Sequence, residues 1–302
     1  MISTTINNPF FFQKFPQFAG NASGTVGGLV VIDSNDVSRY NGLELILKRR
    51  FSRGLGFQLA YTLSKSKDTR SFDPTFSIAT RGRFDRPDLI GQSASSTPFD
   101  INNRRLNYAP SDFDRRHVLQ GTYVYELPFG RGRAFASEIP RALDYAVGGW
   151  QIAGTLLLSS GRPFTVFSGV YTLSNVVQST ADCNGCSRNL GRLVQQNGTN
   201  FFFDTAAQGK FSSPSAGSDG NTGRNFFIGP KYFQTDVSLS KNFKFTERLS
   251  FDLRFDARNL TNTPSFDIPG YVIPPSNAVF GRIRDSVVSN ARRIQVSGKL
   301  NF

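Results

Sequence analysis

Seven runs of this chain, each about ten residues long, alternate apolar and polar side chains with period two, and that pattern leaves few folds open. From Leu55 to Ser66, Leu55, Phe57, Leu59, Tyr61 and Leu63 take one parity, while Gly56, Gln58, Ala60, Thr62 and Ser64 take the other. Successive strand side chains point to opposite faces, so each run predicts a ribbon with one greasy and one hydrated side. The other runs carry Leu43, Leu45 and Leu47; Leu119, Tyr123, Tyr125 and Leu127; Trp150, Ile152, Leu156 and Leu158; and Val237, Leu239, Phe243 and Phe245. Next come Leu249, Phe251, Leu253 and Phe255, and last Ile294, Val296, Leu300 and Phe302, where the chain stops on an aromatic residue. Gly28 to Ile32 is a weaker eighth candidate, apolar without alternation.

Strand length points to a membrane span. Ten residues at ~3.3 Å each, tilted near ~45°, rise ~23 Å, close to the ~25 Å apolar band of an outer-membrane barrel. Strands of soluble sheets average nearer five or six residues. A membrane helix is excluded because no stretch of ~18 consecutive apolar residues occurs. The connections alternate in length: 52–54 and 246–248 are tight, whereas 67–114, 161–231 and 262–290 are long. Short periplasmic turns and long extracellular loops mark a barrel. In the competing fold, a soluble β-sandwich, the apolar parity would face a second sheet. Long loops count against it, as do Tyr125, Trp150, Phe245, Phe251 and Phe302, which all fall near the short-turn rim like an interfacial girdle. The expected fold is therefore all-β, an antiparallel transmembrane β-barrel with long extracellular loops. Residues 1–41 read as a loop-like segment and 42–302 as the strands. Lys241 disagrees, since its parity faces lipid at a cost of about 2 to 4 kcal/mol at mid-bilayer; a β-bulge or snorkelling would resolve it.

Seven strands are an odd number, and single-chain bacterial barrels have an even one. Unpaired edges in hydrocarbon cost several kcal/mol per backbone group. The chain is therefore expected to be the C-terminal portion of a larger barrel, about seven to eight strands of it. Its start, Met1 to Pro9, lacks the marks of a secretory signal. The formal charge of +13 raises nucleic acid as a partner, yet Lys and Arg are spread among Asp and no dense basic helix occurs. Outer-membrane lipid and the phosphates of lipopolysaccharide fit the charge better, and nucleic acid is not expected.

Several motifs together carry a resemblance. Tyr40-Asn41-Gly42-Leu43-Glu44-Leu45, Tyr61-Thr62-Leu63-Ser64-Lys65-Ser66, Asp114-Arg115-Arg116-His117-Val118, Tyr125-Glu126-Leu127-Pro128-Phe129-Gly130, Gly149-Trp150-Gln151-Ile152, Ser160-Gly161-Arg162-Pro163-Phe164 and Phe280-Gly281-Arg282-Ile283 occur in order. The series resembles the C-terminal barrel of Oar-like TonB-dependent outer-membrane transporters, which carry a carboxypeptidase-regulatory-like domain. That resemblance implies a 22-stranded barrel, a plug and contact with the TonB complex through that plug. It also implies a C-terminal signal for the barrel assembly machinery, here Val296, Leu300 and Phe302. Plug and signal peptide are not seen in this sequence, and no cofactor is implied.

Chemistry-bearing motifs are few. His117 has no second imidazole to share a metal and reads as a rim residue where Asp112 and Asp114 meet Arg115 and Arg116. Cys183 and Cys186 form a lone CxxC in a long loop, which in an oxidising exterior predicts a local disulfide over half a zinc site or a redox pair. Gly130-Arg131-Gly132-Arg133 lacks the Lys-Ser/Thr of a phosphate loop and reads as a periplasmic turn. Asp219-Gly220-Asn221 is a fragment of calcium-loop vocabulary without the terminal Glu. Asp252, Arg254, Asp256 and Arg258 form a lumen-facing ladder of alternating charge, expected to pair across to neighbouring strands. No nucleophile–base pair or paired acids appear, so an enzyme is not expected. The functions left are nutrient uptake across the outer membrane, surface adhesion or a structural role, and a soluble binding module.

Overall fold

In the computed structural model the chain divides into two compact units, Met1–Asn35 and Asp36–Phe302, and the sheet belongs to the second. The structure describes residues 34–71, 99–100, 102–173, 178–274, 279–283 and 291–302, so Gly28 to Ile32 lies outside the described residues. Seven long strands follow one another as β1 (Ser38–Ser52), β2 (Leu55–Asp68), β3 (His117–Glu126), β4 (Trp150–Ser159), β5 (Tyr232–Lys244), β6 (Ser250–Arg258) and β7 (Arg293–Asn301). They pair only with sequence neighbours, all antiparallel, in the order β1 to β7. Ala109–Pro110 adds a short bridge to the end of β2.

All seven alternating runs are strands, and register confirms their two faces. Leu239 lies directly between Ile152 and Phe255, and Leu43, Leu45 and Leu47 oppose Leu63, Tyr61 and Leu59. Apolar parity is thus continuous across the sheet, as one lipid-facing band requires. On the outer strands this parity stands bare: Leu45 is 55 % exposed and Ile294 68 %. Among the described residues the remaining sheets have two strands each, so no second layer covers the apolar face and the sandwich reading fails.

One strand start and one connection differ most from the sequence reading. β1 begins at Ser38, because Ser38 to Asn41 continue the ladder opposite Asp68 to Lys65 although their polar side chains give no alternation signal. Backbone pairing runs on past the apolar band into water, where period-two hydrophobicity is not needed. The connection after β3 also holds a helix, α1 (Arg141–Val147), beyond the expected Gly130–Arg133 turn.

Lys241 is resolved by neither a bulge nor the water layer. Register runs unbroken through it, opposite Trp150 and Leu253. Its Nζ donates to the carbonyls of Tyr145 (2.6 Å) and Ala146 (3.1 Å) at the end of α1, and lies 4.8 Å from the Phe243 ring centroid. A helix C-terminus carries partial negative charge, so the cation meets a dipole in place of water.

Band depth predicts the response to new charge. Leu239→Arg is expected to cost about 2 to 4 kcal/mol and Phe245→Arg, near the short-turn rim, about 0 to 1 kcal/mol, read from denaturant unfolding in lipid vesicles.

Candidate functional site

Among the described residues, the hydrophobic core does not lie between the long strands. Every member of the buried cluster, including Phe164, Val166, Phe202, Phe203, Phe227, Ile273, Phe280 and Ile283, comes from the connections 161–231 and 262–290. These two connections fold into a cap at the long-loop end. Phe203 is its hub, fully buried, with ring centroids of Phe211 at 5.2 Å, Phe227 at 5.4 Å, Phe202 at 5.6 Å and Phe280 at 5.6 Å. Each such pair adds about 0.5–1.5 kcal/mol beyond area burial. Phe280-Gly281-Arg282-Ile283 delivers the second connection to this hub. Gly281 has φ +74°, and a Cβ there would lie 2.9 Å from Phe203 Cβ, so both conformation and space demand glycine.

Cap and sheet are fastened by one guanidinium. Arg224, 5 % exposed, donates through Nη1 to Asp68 Oδ1 (2.8 Å), Asp68 O (2.9 Å) and Asn107 O (3.0 Å). Nη2 donates to Ser71 Oγ (2.8 Å) and Asp112 Oδ1 (3.1 Å), leaving Nε buried without a hydrogen-bond partner among the described residues. Asn225 Nδ2 donates to Pro110 O and to the same Asp112 Oδ1. The residues joined are the last of β2, the 67–114 connection and the 161–231 connection, up to 156 positions apart. Nothing in the sequence singled out Arg224, since its partners lie so far away; Asn221-Thr222-Gly223-Arg224-Asn225 shows only turn chemistry. Asp112 therefore meets Arg224, and Asp114 accepts from the backbone N–H of Ser66 (2.8 Å), instead of both meeting the neighbouring arginines. His117 pairs through Nδ1 with the Tyr61 hydroxyl at 2.8 Å on the outward face. Arg115 donates to Ser159 Oγ and Ser160 O, and burial, then Arg162, lower its pKa.

Below the cap, the inward face of β2 to β5 is a wall of amides and hydroxyls. An open groove of about 400 Å³ is lined by Gln58, Gln120, Thr122, Thr155 and Gln234, and one of about 500 Å³ by Lys48, Arg50, Gln58, Glu126 and Gln151 nearer the short turns. The charge ladder sits on β6, with Asp252 in register opposite Lys299 of β7. Arg254 Nε donates to Asp256 Oδ1 (2.8 Å) along the same strand, and the Arg254 side chain is 58 % exposed, which makes this a weak pair. Across strands, Asp252 accepts from amides, Asn242 Nδ2 at 2.5 Å and Asn301 Nδ2 at 2.8 Å, while Arg258 faces Arg293. The register partner of Asp252 on β5 is Asn242, which supplies one of these neutral donors.

Cys183 and Cys186 are joined in a disulfide, with Cα atoms 5.7 Å apart at the edge of the cap core. The Asp219-Gly220-Asn221 segment is occupied with backbone: Asp219 Oδ1 accepts from Thr180 N (2.7 Å) and Asn221 Oδ1 from Cys183 N (2.9 Å). Burial raises the Asp219 carboxyl above its usual value, and burial pushes the Tyr271 hydroxyl up to about 12. Asp204 instead is lowered, chiefly by the Ala207 N–H it accepts as N-cap of the helix Thr205–Gln208. Val296 and Leu300 stand outward on β7, and Phe302, one residue past its end, is 97 % exposed.

Sequence comparison agrees with this geometry. The outer membrane beta barrel domain family matches residues 3–295. The chain belongs to that family. Its strands therefore span the outer membrane of a Gram-negative bacterium, with the cap outside the cell and α1 at the periplasmic rim. No curated protein and no solved structure matches the chain.

Two outcomes test the cap of this barrel domain. Arg224→Met strands two buried carboxylates and is expected to cost about 3–5 kcal/mol, with the 161–231 connection becoming trypsin-sensitive in outer-membrane preparations. Asp219 has a folded-state pKa above its unfolded one, so its contribution is complete at acid pH and falls as pH rises through the raised value. Asp219→Asn, which keeps an acceptor for Thr180 N–H, is expected to raise the cap unfolding temperature near neutral pH and to leave it unchanged below the ordinary carboxylate range.

Proposed function

We propose that this chain is the C-terminal barrel segment of an Oar-like TonB-dependent outer-membrane receptor that takes up a hydrophilic nutrient, such as an oligosaccharide, a peptide or a metal chelate. The observation that carries the reading is the pair of sheet edges. β1 and β7 each pair with one neighbour among the described strands, and, as first and last of seven alternating strands, they run in the same direction. Joining them directly would make a parallel seam. An all-antiparallel closure needs an odd number of further strands, and fifteen would complete the roughly 22 strands of a plugged transporter. In hydrocarbon that closure is obligatory, because each unsatisfied backbone group costs several kcal/mol.

The inner wall and the cap support the same reading. The groove lined by Gln58, Gln120, Thr122, Thr155 and Gln234 offers uncharged hydrogen-bonding groups to a hydrated solute, and charged Lys48, Arg50 and Glu126 lie nearer the short turns. The cap, fastened by Arg224 to the end of β2, holds its outer surface in one shape, as a selective receptor needs. Transport would depend on a plug and on energy delivered through TonB.

Uptake in cells carrying the full-length receptor tests this. Entry of at least one fluorescent oligosaccharide, peptide or chelate class is expected to stop when β1 to β7 are deleted, and to stop equally when an uncoupler removes the proton-motive force. Unchanged entry, combined with loss of cell-to-cell adherence in the deletion, would overturn transport in favour of a surface adhesion role.

A further inference from the structure

The periplasmic connection between β3 and β4 carries a helix whose placement the barrel alone does not require. α1 has seven residues, too few to be stable in water by itself, so tertiary contacts must hold it. Tyr145 Oη donates to Lys244 O (2.8 Å), Trp150 Nε1 donates to Ala146 O (3.0 Å), and Lys241 Nζ donates to Tyr145 O and Ala146 O. The Tyr145 ring lies 5.7 Å from that of Phe243 and 6.3 Å from that of Phe245. Lys241, Phe243, Phe245 and Trp150 all have outward parity. The helix therefore lies against the lipid side of the barrel wall.

Its depth follows from the strand it covers. Lys241 is three residues before the end of β5, which at ~3.3 Å per residue and a ~45° tilt is a height of ~7 Å above the rim. That range is the boundary between head groups and acyl chains. Two carbonyls of the last turn, those of Tyr145 and Ala146, which normally call for water, are satisfied by Lys241 and Trp150. On the opposite end, Asp144 Oδ1 accepts from Arg131 N (2.7 Å), and Gly130, with φ +119°, leaves room for that carboxylate, since a Cβ there would lie 2.6 Å from it. The Asp144 carboxylate and the Tyr145 and Ala146 carbonyls are thus turned to the protein.

What α1 turns away from the protein is apolar. Leu143 and Val147, spaced four apart on one helix face, are 54 % and 42 % exposed, and Phe245, which packs near Tyr145, is 55 % exposed. This patch continues the lipid-facing band of the strands, and Arg141 and Arg248 sit on the same rim, where phospholipid phosphates would meet them. We propose that α1 is an interfacial anchor, seated in the periplasmic leaflet with Leu143 and Val147 among its phospholipids and Lys241 locking the helix to the wall.

Labelling the intact protein in outer-membrane vesicles tests the anchor. Leu143→Cys and Val147→Cys, each carrying an environment-sensitive fluorophore, are compared with Glu138→Cys, on the exposed stretch before α1, and Leu239→Cys, inside the band; Cys183 and Cys186 stay oxidised. The expected result is blue-shifted emission at 143 and 147 that shallow lipid-borne nitroxides quench and aqueous iodide does not, with Glu138→Cys showing the reverse. Quenching at 143 and 147 by iodide, as at 138, would overturn the anchor by placing the helix in water. Protection from both quenchers would overturn it too, by placing a protein neighbour there. A lipid-quenched Leu239→Cys shows in every case that the barrel is inserted.

Discussion

Backbone amides in hydrocarbon must find partners within the protein, and the whole arrangement of this chain answers that demand. Strands longer than those of most soluble sheets and nearest-neighbour antiparallel pairing, with a register shift between Arg49 and Ser52 beside the β1–β2 turn, satisfy donors and acceptors without water. Once the ladder is complete, side chains are free to divide by face. The outward parity needs only to be apolar, because lipid replaces the packing that a second sheet would provide.

That freedom explains why the tight packing is elsewhere. The cap has what the strands lack, a dry cluster of phenylalanines around Phe203 and a buried ionic clamp at Arg224. A membrane wall gains little from interdigitated side chains, whereas two long connections exposed to water would stay unordered without a core of their own. The inner wall is the third environment, lined by amides and hydroxyls that remain hydrated. Three solvents, lipid outside, water inside and protein within the cap, account for the three compositions.

The strands were legible because period two is local: Leu55 to Ser66 declares both faces within twelve residues. The odd strand count and the outward parity of Lys241 were legible for the same reason. The answer to Lys241 was not, because its carbonyl partners lie 95 and 96 positions earlier, on a helix of seven residues with no amphipathic period to reveal it. The cap was hidden by distance as well. Phe164, Phe203 and Phe280 look like unrelated loop phenylalanines until topology gathers them, and Arg224 looks like a turn residue until Asp68 and Asp112 surround it. The charge ladder was visible as residues but not as pairs, since alternation fixes the face while register decides that Asn242 and Asn301 reach Asp252.

The clamp at Arg224 also sets how this surface can diverge. Surface loops ordinarily vary in sequence more freely than the elements they connect. Here a swap of the 161–231 connection alone would remove the cation that neutralises Asp68 and Asp112, leaving the neighbouring loop with bare buried acids. The two connections are bound to be inherited as a matched set, so recombination at this locus succeeds only when its breakpoints spare residues 68 to 225 as one block.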